Sequence, residues 1–201
     1  EYVKNKIRTN IIMRVISGTA RSLRLKTLEG MNTRPTQDRI KETLFNMISS
    51  HIGGSCFLDL FGGSGGIGIE ALSRGASKAV FVEKNKKAAA CIRENLEHTK
   101  LSDRAQVMCQ DAVSAIRMLS GRKEPFDYIF MDPPYGKDLE KQVLLELMHT
   151  DLYDEHTVII VESDLQTSFD YLDGTDLEVY KTKKYKTNMH TFIWKVMEEE
   201  E

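Results

Sequence analysis

The stretch Asp59-Leu60-Phe61-Gly62-Gly63-Ser64-Gly65-Gly66-Ile67-Gly68 decides the fold. It follows the apolar run Cys56–Leu60 and leads into a helical pattern near 67–74, so it reads as strand, glycine turn and helix. Four further apolar runs continue the pattern downstream: Ala79–Glu83, Ala105–Cys109, Tyr128–Met131 and Val158–Glu162. Helices are predicted between them near 86–98, 112–119 and 138–149. Strands apolar on both faces, alternating with helices, predict an α/β fold with a mostly parallel sheet covered on both sides. The segments Leu177–Tyr185 and His190–Val196 read as a closing hairpin that turns near Thr187-Asn188, which brings the sheet to seven strands.

Upstream of the glycine turn the sequence changes character. Arg14–Ile16 and Leu23–Leu25, separated by Ser17-Gly18-Thr19-Ala20, predict a small β-hairpin within 13–30, decorated by Arg14, Arg21, Arg24 and Lys26. Within 31–52, Thr36 is placed to cap a helix whose apolar residues Ile40, Leu44, Met47 and Ile48 recur at helical spacing. Residues 1–12 show no period and read as an extension ahead of Met13, and the run Glu198–Glu201 reads as a solvated acidic tail. Residues 13–197 are expected to form one domain, with its core at 53–197.

At 201 residues, 41% hydrophobic and 29% charged, the chain can bury a core without disulfides or a structural metal, which excludes disordered and disulfide-stapled classes. No apolar window is long enough to span a membrane, and the charged first residues do not resemble a secretion signal, so a cytoplasmic monomer without membrane contact is expected. The net charge of -2 hides an asymmetry. Residues 1–50 hold ten Lys or Arg against four Asp or Glu, a basic front on an acidic body that suits a phosphate-bearing partner. Lys181, Lys183, Lys184 and Lys186 could extend that surface. Cys56, Cys91 and Cys109 lack ligand or bridge spacing and read as small buried hydrophobes. The five histidines, His51, His98, His149, His156 and His190, show no metal spacing and are expected at the surface or at caps.

The glycine turn admits two ligands. Gly63-x-Gly65-x-x-Gly68 matches a dinucleotide fingerprint, with Glu83 twenty residues after Gly63 where an acid grips a ribose. Asp59 lies directly beneath the turn, where a carboxylate repels a pyrophosphate and attracts a ligand carrying positive charge. S-adenosyl-L-methionine, with its ammonium and sulfonium, meets that condition, and glycines let the backbone approach its methionine part and ribose. It also requires a polar group beyond the third strand for the adenine, where Asp111 lies.

Asp132-Pro133-Pro134-Tyr135, directly after the fourth strand, is the most specific motif in the chain. A planar exocyclic amine is a poor nucleophile, and acceptors for its two hydrogens help its nitrogen become tetrahedral. The Asp132 carboxylate and the Pro133 carbonyl can supply them. Consecutive prolines stiffen the turn and remove two N–H donors, while Tyr135 offers a flat face for stacking.

These motifs, with Arg14-Val15-Ile16-Ser17-Gly18 and the diagnostic segment Arg34–Asn46, carry a family resemblance from Met13 to Lys195. The chain resembles the bacterial 16S ribosomal RNA guanine-N2 methyltransferases of the small subunit, a branch of the Rossmann-like class I methyltransferases. The resemblance implies that Asp59, Phe61, Gly62, Gly63, Ser64 and Gly65 hold the methionine part of the cofactor. It assigns Glu83 to the ribose hydroxyls and Asp111 to the adenine amine, and it sets Arg34, Pro35 and Thr36 near the cofactor's amino-acid end. Asp132–Tyr135 would hold the target guanine, and 16S rRNA or a small-subunit ribonucleoprotein particle would be the partner, its phosphates met by Arg14, Arg21, Arg24 and Lys26.

Two rivals carry less weight. A DNA adenine-N6 methyltransferase shares Asp-Pro-Pro-Tyr, yet almost nothing in this chain is left over for a target-recognition domain. A non-catalytic assembly factor that keeps the cofactor fold would have no need of an intact Asp132.

Overall fold

The computed structural model describes residues 13–28, 35–122 and 124–197, with residues 35–37 described by backbone alone. Its elements are α1 (Pro35–Ile48), β1 (Cys56–Asp59), α2 (Gly66–Ser73), β2 (Lys78–Val82), α3 (Lys86–Thr99), β3 (Ala105–Met108), α4 (Ala112–Leu119), β4 (Tyr128–Met131), α5 (Leu139–Leu147), β5 (Val158–Asp164), β6 (Leu177–Lys184) and β7 (Asn188–Lys195). The strand order is β3-β2-β1-β4-β5-β7-β6, with β1–β5 parallel and β7 antiparallel to both β5 and β6. Strand order reverses between β1 and β4, and a parallel sheet opens a ligand crevice beyond its carboxyl ends at that point.

Each face of the sheet carries its own core. On one side Leu44, Phe45, Ile69, Leu72 and Ile92 from α1–α3 pack on Phe57, Phe81 and Phe130. On the other, Ala115, Ile116, Val143 and Leu144 from α4 and α5 cover Leu58, Val80, Val82 and Ile129. The alternation along β1, β2 and β4 sends successive side chains to opposite cores, which is why these strands are apolar throughout. Gly68 is fixed by this packing, because a Cβ there would lie 2.3 Å from the Phe81 ring.

The sequence-based elements recur with shifted ends, and three expectations are corrected. The helix after Arg34 starts at Pro35, so Thr36 lies in its first turn and does not cap it; proline suits that first position because its missing N–H would be unpaired anyway. The expected hairpin near 13–28 reduces to one antiparallel bridge, Arg14 to Arg24, with turns between. Val15 N–H donates to the Leu23 carbonyl and Leu25 N–H to the Met13 carbonyl, so the two arms pair at this one point, while the turn residues Ile16, Ser17 and Ala20 donate to Glu70 and Ser73 of the core. Cys91 is buried as expected, Cys56 is half-buried and Cys109 is exposed; among the described residues all three thiols are free. No helix among the described residues is long and apolar enough to cross a membrane. Residues 1–12 and the acidic tail 198–201 lie outside the described residues.

Glu70 of α2 holds the basic segment to the core. Its carboxylate, fully buried, accepts from the backbone N–H of Ile16 (2.7 Å) and Ser17 (3.0 Å) and from Arg74 Nε (2.8 Å), with Lys41 Nζ at 3.4 Å. Lys41, itself buried, also donates to the Arg14 carbonyl at 2.6 Å. Removing one partner of such a buried cluster leaves uncompensated charge. Glu70→Ala is therefore expected to cost about 3–5 kcal/mol of stability, read as a fall in the urea midpoint; an unchanged midpoint would contradict the role given to this cluster.

Candidate active site

The parallel register gathers carboxylates at one edge of the sheet. Asp59 ends β1 beside Phe130, and Met131 pairs with Val161, so Asp132 and Glu162 emerge next to each other from β4 and β5. Asp59, Asp132 and Glu162 share the parity of Phe130 and Ile160 and face the α1 side, while His190, opposite Glu162 on β7, joins them. All four line a cavity of about 670 Å³ that also takes in the glycine turn. That volume lies in the range of small-molecule sites.

The turn is built by backbone geometry. Gly65 adopts φ 85° to start α2, Gly62 N–H donates to the Val82 carbonyl, and Gly63 N–H donates to Glu83 Oε2 at 2.9 Å. Glu83 Oε1 accepts from Asn85 N–H, so both oxygens are held and the carboxylate stays at the cavity wall. Asp59 is almost fully buried. Its Oδ2 accepts from Gly68 N–H at 3.2 Å, whereas its Oδ1 is buried without a partner. Burial pushes the Asp59 carboxyl up to about 7 against the backbone N–H groups of Gly68 and Phe61, with Glu83 adding to the rise. Asp111 caps α4 by accepting from Ser114 N–H, and the Ser114 hydroxyl together with that N–H holds its carboxyl below the usual range.

Most of the residues expected from sequence meet in this cavity: Asp59, Phe61, Gly62, Gly63, Ser64, Glu83, Asp111, Asp132 and Pro134 line it. Gly65, Pro133 and Tyr135 do not. Gly65 shapes the turn from behind, Pro133 is buried, and Tyr135 is exposed, its hydroxyl held above the ordinary tyrosine range by partial burial and then by the carboxylates of Asp132, Glu162 and Asp164. Arg34 and the side chains of Pro35 and Thr36 lie outside the described residues. The Asp132 carboxyl is exposed to the cavity it lines, yet the protein around it, then Glu162 and Asp59, raise it well above the carboxylate range.

His190 departs from its expected surface role. It is 1% exposed, with Nε2 3.0 Å from Glu162 Oε2 and Nδ1 3.1 Å from the Tyr185 hydroxyl. Neither His190 nor Glu162 stood out in sequence, because antiparallel pairing across 28 residues is what makes them partners. Their one local signal is a charged residue closing the apolar run Val158–Val161. The other four histidines are exposed.

The basic front is exposed as expected. Arg14 pairs with Asp38 and Lys26 with Glu94 at the surface, contacts weak enough to exchange for phosphates, and Arg21 and Arg24 are also exposed. The cavity, by contrast, carries the carboxylates of Asp38, Asp59, Glu83, Asp111, Asp132 and Glu162 against Lys41 and Lys84, an excess that suits a ligand bringing donors and positive charge.

Because Asp59 holds its proton in the fold up to about pH 7 but releases it near 3.8 when unfolded, the fold loses stability as pH rises through that window. Asp59→Asn is expected to raise Tm by several degrees at pH 8 and to leave it nearly unchanged at pH 4. A gap in thermal scans that stayed constant with pH would contradict the burial argument.

Over residues 13–194 the chain matches the family described as conserved hypothetical protein 95. It is 39% identical over 173 residues to YlbH of Bacillus subtilis (strain 168), provisionally named an rRNA methyltransferase, across 86% of this chain and 94% of that protein. It is 37% identical over 153 residues to ribosomal RNA small subunit methyltransferase D of Haemophilus influenzae, across 76% and 79%. A solved structure, a hypothetical protein of Thermus thermophilus, superposes with a TM-score of 0.76 at 27% identity over 91% of this chain and 99% of that one. The matched span contains the glycine turn, the carboxylates at the strand ends and His190, and this chain belongs to the conserved hypothetical protein 95 family.

Proposed function

We propose that this chain transfers a methyl group from S-adenosyl-L-methionine to the exocyclic N2 amine of a guanine in 16S ribosomal RNA, as a monomer acting on rRNA or a small-subunit particle. One observation carries the reading: a single cavity joins the glycine turn to Asp132. The relatives' names, rRNA methyltransferase and small-subunit methyltransferase, support the substrate class.

The residues fit the cofactor. The unpartnered Asp59 Oδ1 gives the ligand's ammonium an acceptor that the protein leaves open, and cation binding would favour the ionised carboxylate. Glu83, pinned by two backbone donors, keeps lone pairs for the ribose hydroxyls, and Asp111 stands at the wall for the adenine amine. When bound, S-adenosyl-L-methionine supplies an electrophilic sulfonium methyl.

The remaining work falls to the chain. The Asp132 carboxylate and the Pro133 carbonyl accept the two hydrogens of the amine and orient its nitrogen, so the step depends on positioning. The methylated nitrogen then sheds a proton to the Asp132 carboxylate, whose surroundings already favour holding one. Tyr135, 44% exposed, offers its ring to the extruded base. Arg14, Arg21, Arg24 and Lys26 grip phosphates without choosing the base.

Asp132→Ala is expected to slow transfer of labelled methyl groups to small-subunit particles by about 100 to 1,000-fold, with cofactor affinity by calorimetry within a few fold of wild type. Wild-type turnover by this variant would sink the mechanism. Replacing Arg14, Arg21, Arg24 and Lys26 together by Ala is expected to weaken RNA binding and to flatten its salt dependence by up to about 1 in slope for each phosphate no longer neutralised. An unaltered slope would move the RNA to another face.

A further inference from the structure

The Glu162 carboxylate occupies a costly position. It stands beside Asp132 on the same face of the sheet, where two like charges repel, and packing gives no return for that cost. Yet it is firmly held: Asn188 Nδ2 donates to its Oε1 at 2.6 Å, and His190 Nε2 lies 3.0 Å from its Oε2. His190 is fixed in turn by Tyr185 at Nδ1 and by the edge of its ring against Phe130. With Tyr185 donating to Nδ1, the neutral ring carries its proton on Nε2 and donates it to Glu162.

Even with the Tyr135 hydroxyl nearby, these contacts leave at least one of roughly four acceptor positions on the carboxylate unfilled. The residue lines the cavity, so unfilled acceptor capacity stands next to Asp132. Two adjacent carboxylates match two adjacent donors. The Watson–Crick edge of guanine presents them, N1–H beside the N2 amine. Adenine presents the N1 lone pair at the corresponding place and would meet Glu162 with repulsion.

We propose that Glu162 determines base specificity by accepting the guanine N1–H while Asp132 holds the N2 amine, and that Asn188 and His190 are positioning residues for it. The inference rests on the guanine-N2 reading above. It goes further by naming the group that tells guanine from other bases bearing an amine.

The test uses small-subunit particles reconstituted with rRNA that carries either guanine or 2-aminopurine at the mapped target. 2-Aminopurine keeps the exocyclic amine and lacks N1–H. Wild type is expected to prefer guanine on the order of 100-fold in kcat/KM, the scale of leaving a charged acceptor unpaired. Because 2-aminopurine also lacks O6, the decisive result is the change in that ratio in Glu162→Ala, which removes the acceptor. The ratio is expected to collapse to within a few fold, mostly through slower guanine methylation, with calorimetric cofactor binding reporting that the variant is folded. Glu162→Gln, whose amide oxygen still accepts but carries no charge, is expected to keep an intermediate preference, and the Asn188 Oδ1, buried without a partner, can accept from its amide after a flip. A preference that survives in Glu162→Ala, or a wild type indifferent to the analogue, overturns this inference alone. Failure of wild type to methylate guanine overturns the functional reading beneath it.

Discussion

Parallel register is the constraint on which the site depends. Adjacent parallel strands bring residues of equal depth to the same edge, so Asp59, Asp132 and Glu162 are forced together by the hydrogen bonding of β1, β4 and β5. The electrostatic cost is offset by donors from elsewhere: Gly68 N–H for Asp59, Asn188 and His190 for Glu162, and Gly63 and Asn85 N–H for the neighbouring Glu83. What remains uncompensated, chiefly Asp59 Oδ1, is the acceptor that the proposed function gives to the ligand. A buried carboxylate without enough partners costs the fold stability, a trade that functional sites often show.

A second buried cluster serves the opposite purpose. Glu70 is saturated, with backbone donors from Ile16 and Ser17 and cations from Arg74 and Lys41, so it offers nothing to a ligand. Its effect is mechanical. It ties the segment carrying Arg14, Arg21 and Arg24 to α2, the helix that opens at the glycine turn, and Lys41 on α1 completes the link. The basic surface and the glycine turn therefore share one rigid element, so in the proposed function an RNA gripped by the first would be held at a fixed distance from the second.

The antiparallel β6–β7 pair contributes more than closure of the sheet. By running β7 back against β5, the fold sets His190 and Asn188 opposite Glu162 and Asp164, on the face toward α1. A parallel strand in that place would have put its own carboxyl end at the cavity. The reversed strand supplies donors there, among carboxylates that need them.

Three features were legible in the residues alone: the strand-turn-helix at Asp59–Gly68, the alternation that makes a parallel sheet, and the Asp132–Tyr135 motif. Each depends on residues close along the chain. Local spacing also placed Glu83 and Asp111 at strand ends, where they line the cavity. The other parts of the site needed the assembled fold. Glu70 and His190 become buried partners through contacts 54 and 28 residues away, and a single-residue shift in the β5–β7 register would send His190 to the opposite face. The expected hairpin shrank to a single bridge for the same reason: beyond Arg14 and Arg24 the chain turns toward α2, where Glu70 and Ser73 take the N–H groups of Ile16, Ser17 and Ala20. Periodicity reports which face a residue takes, while the group it meets there depends on strand order and direction, which local spacing does not encode.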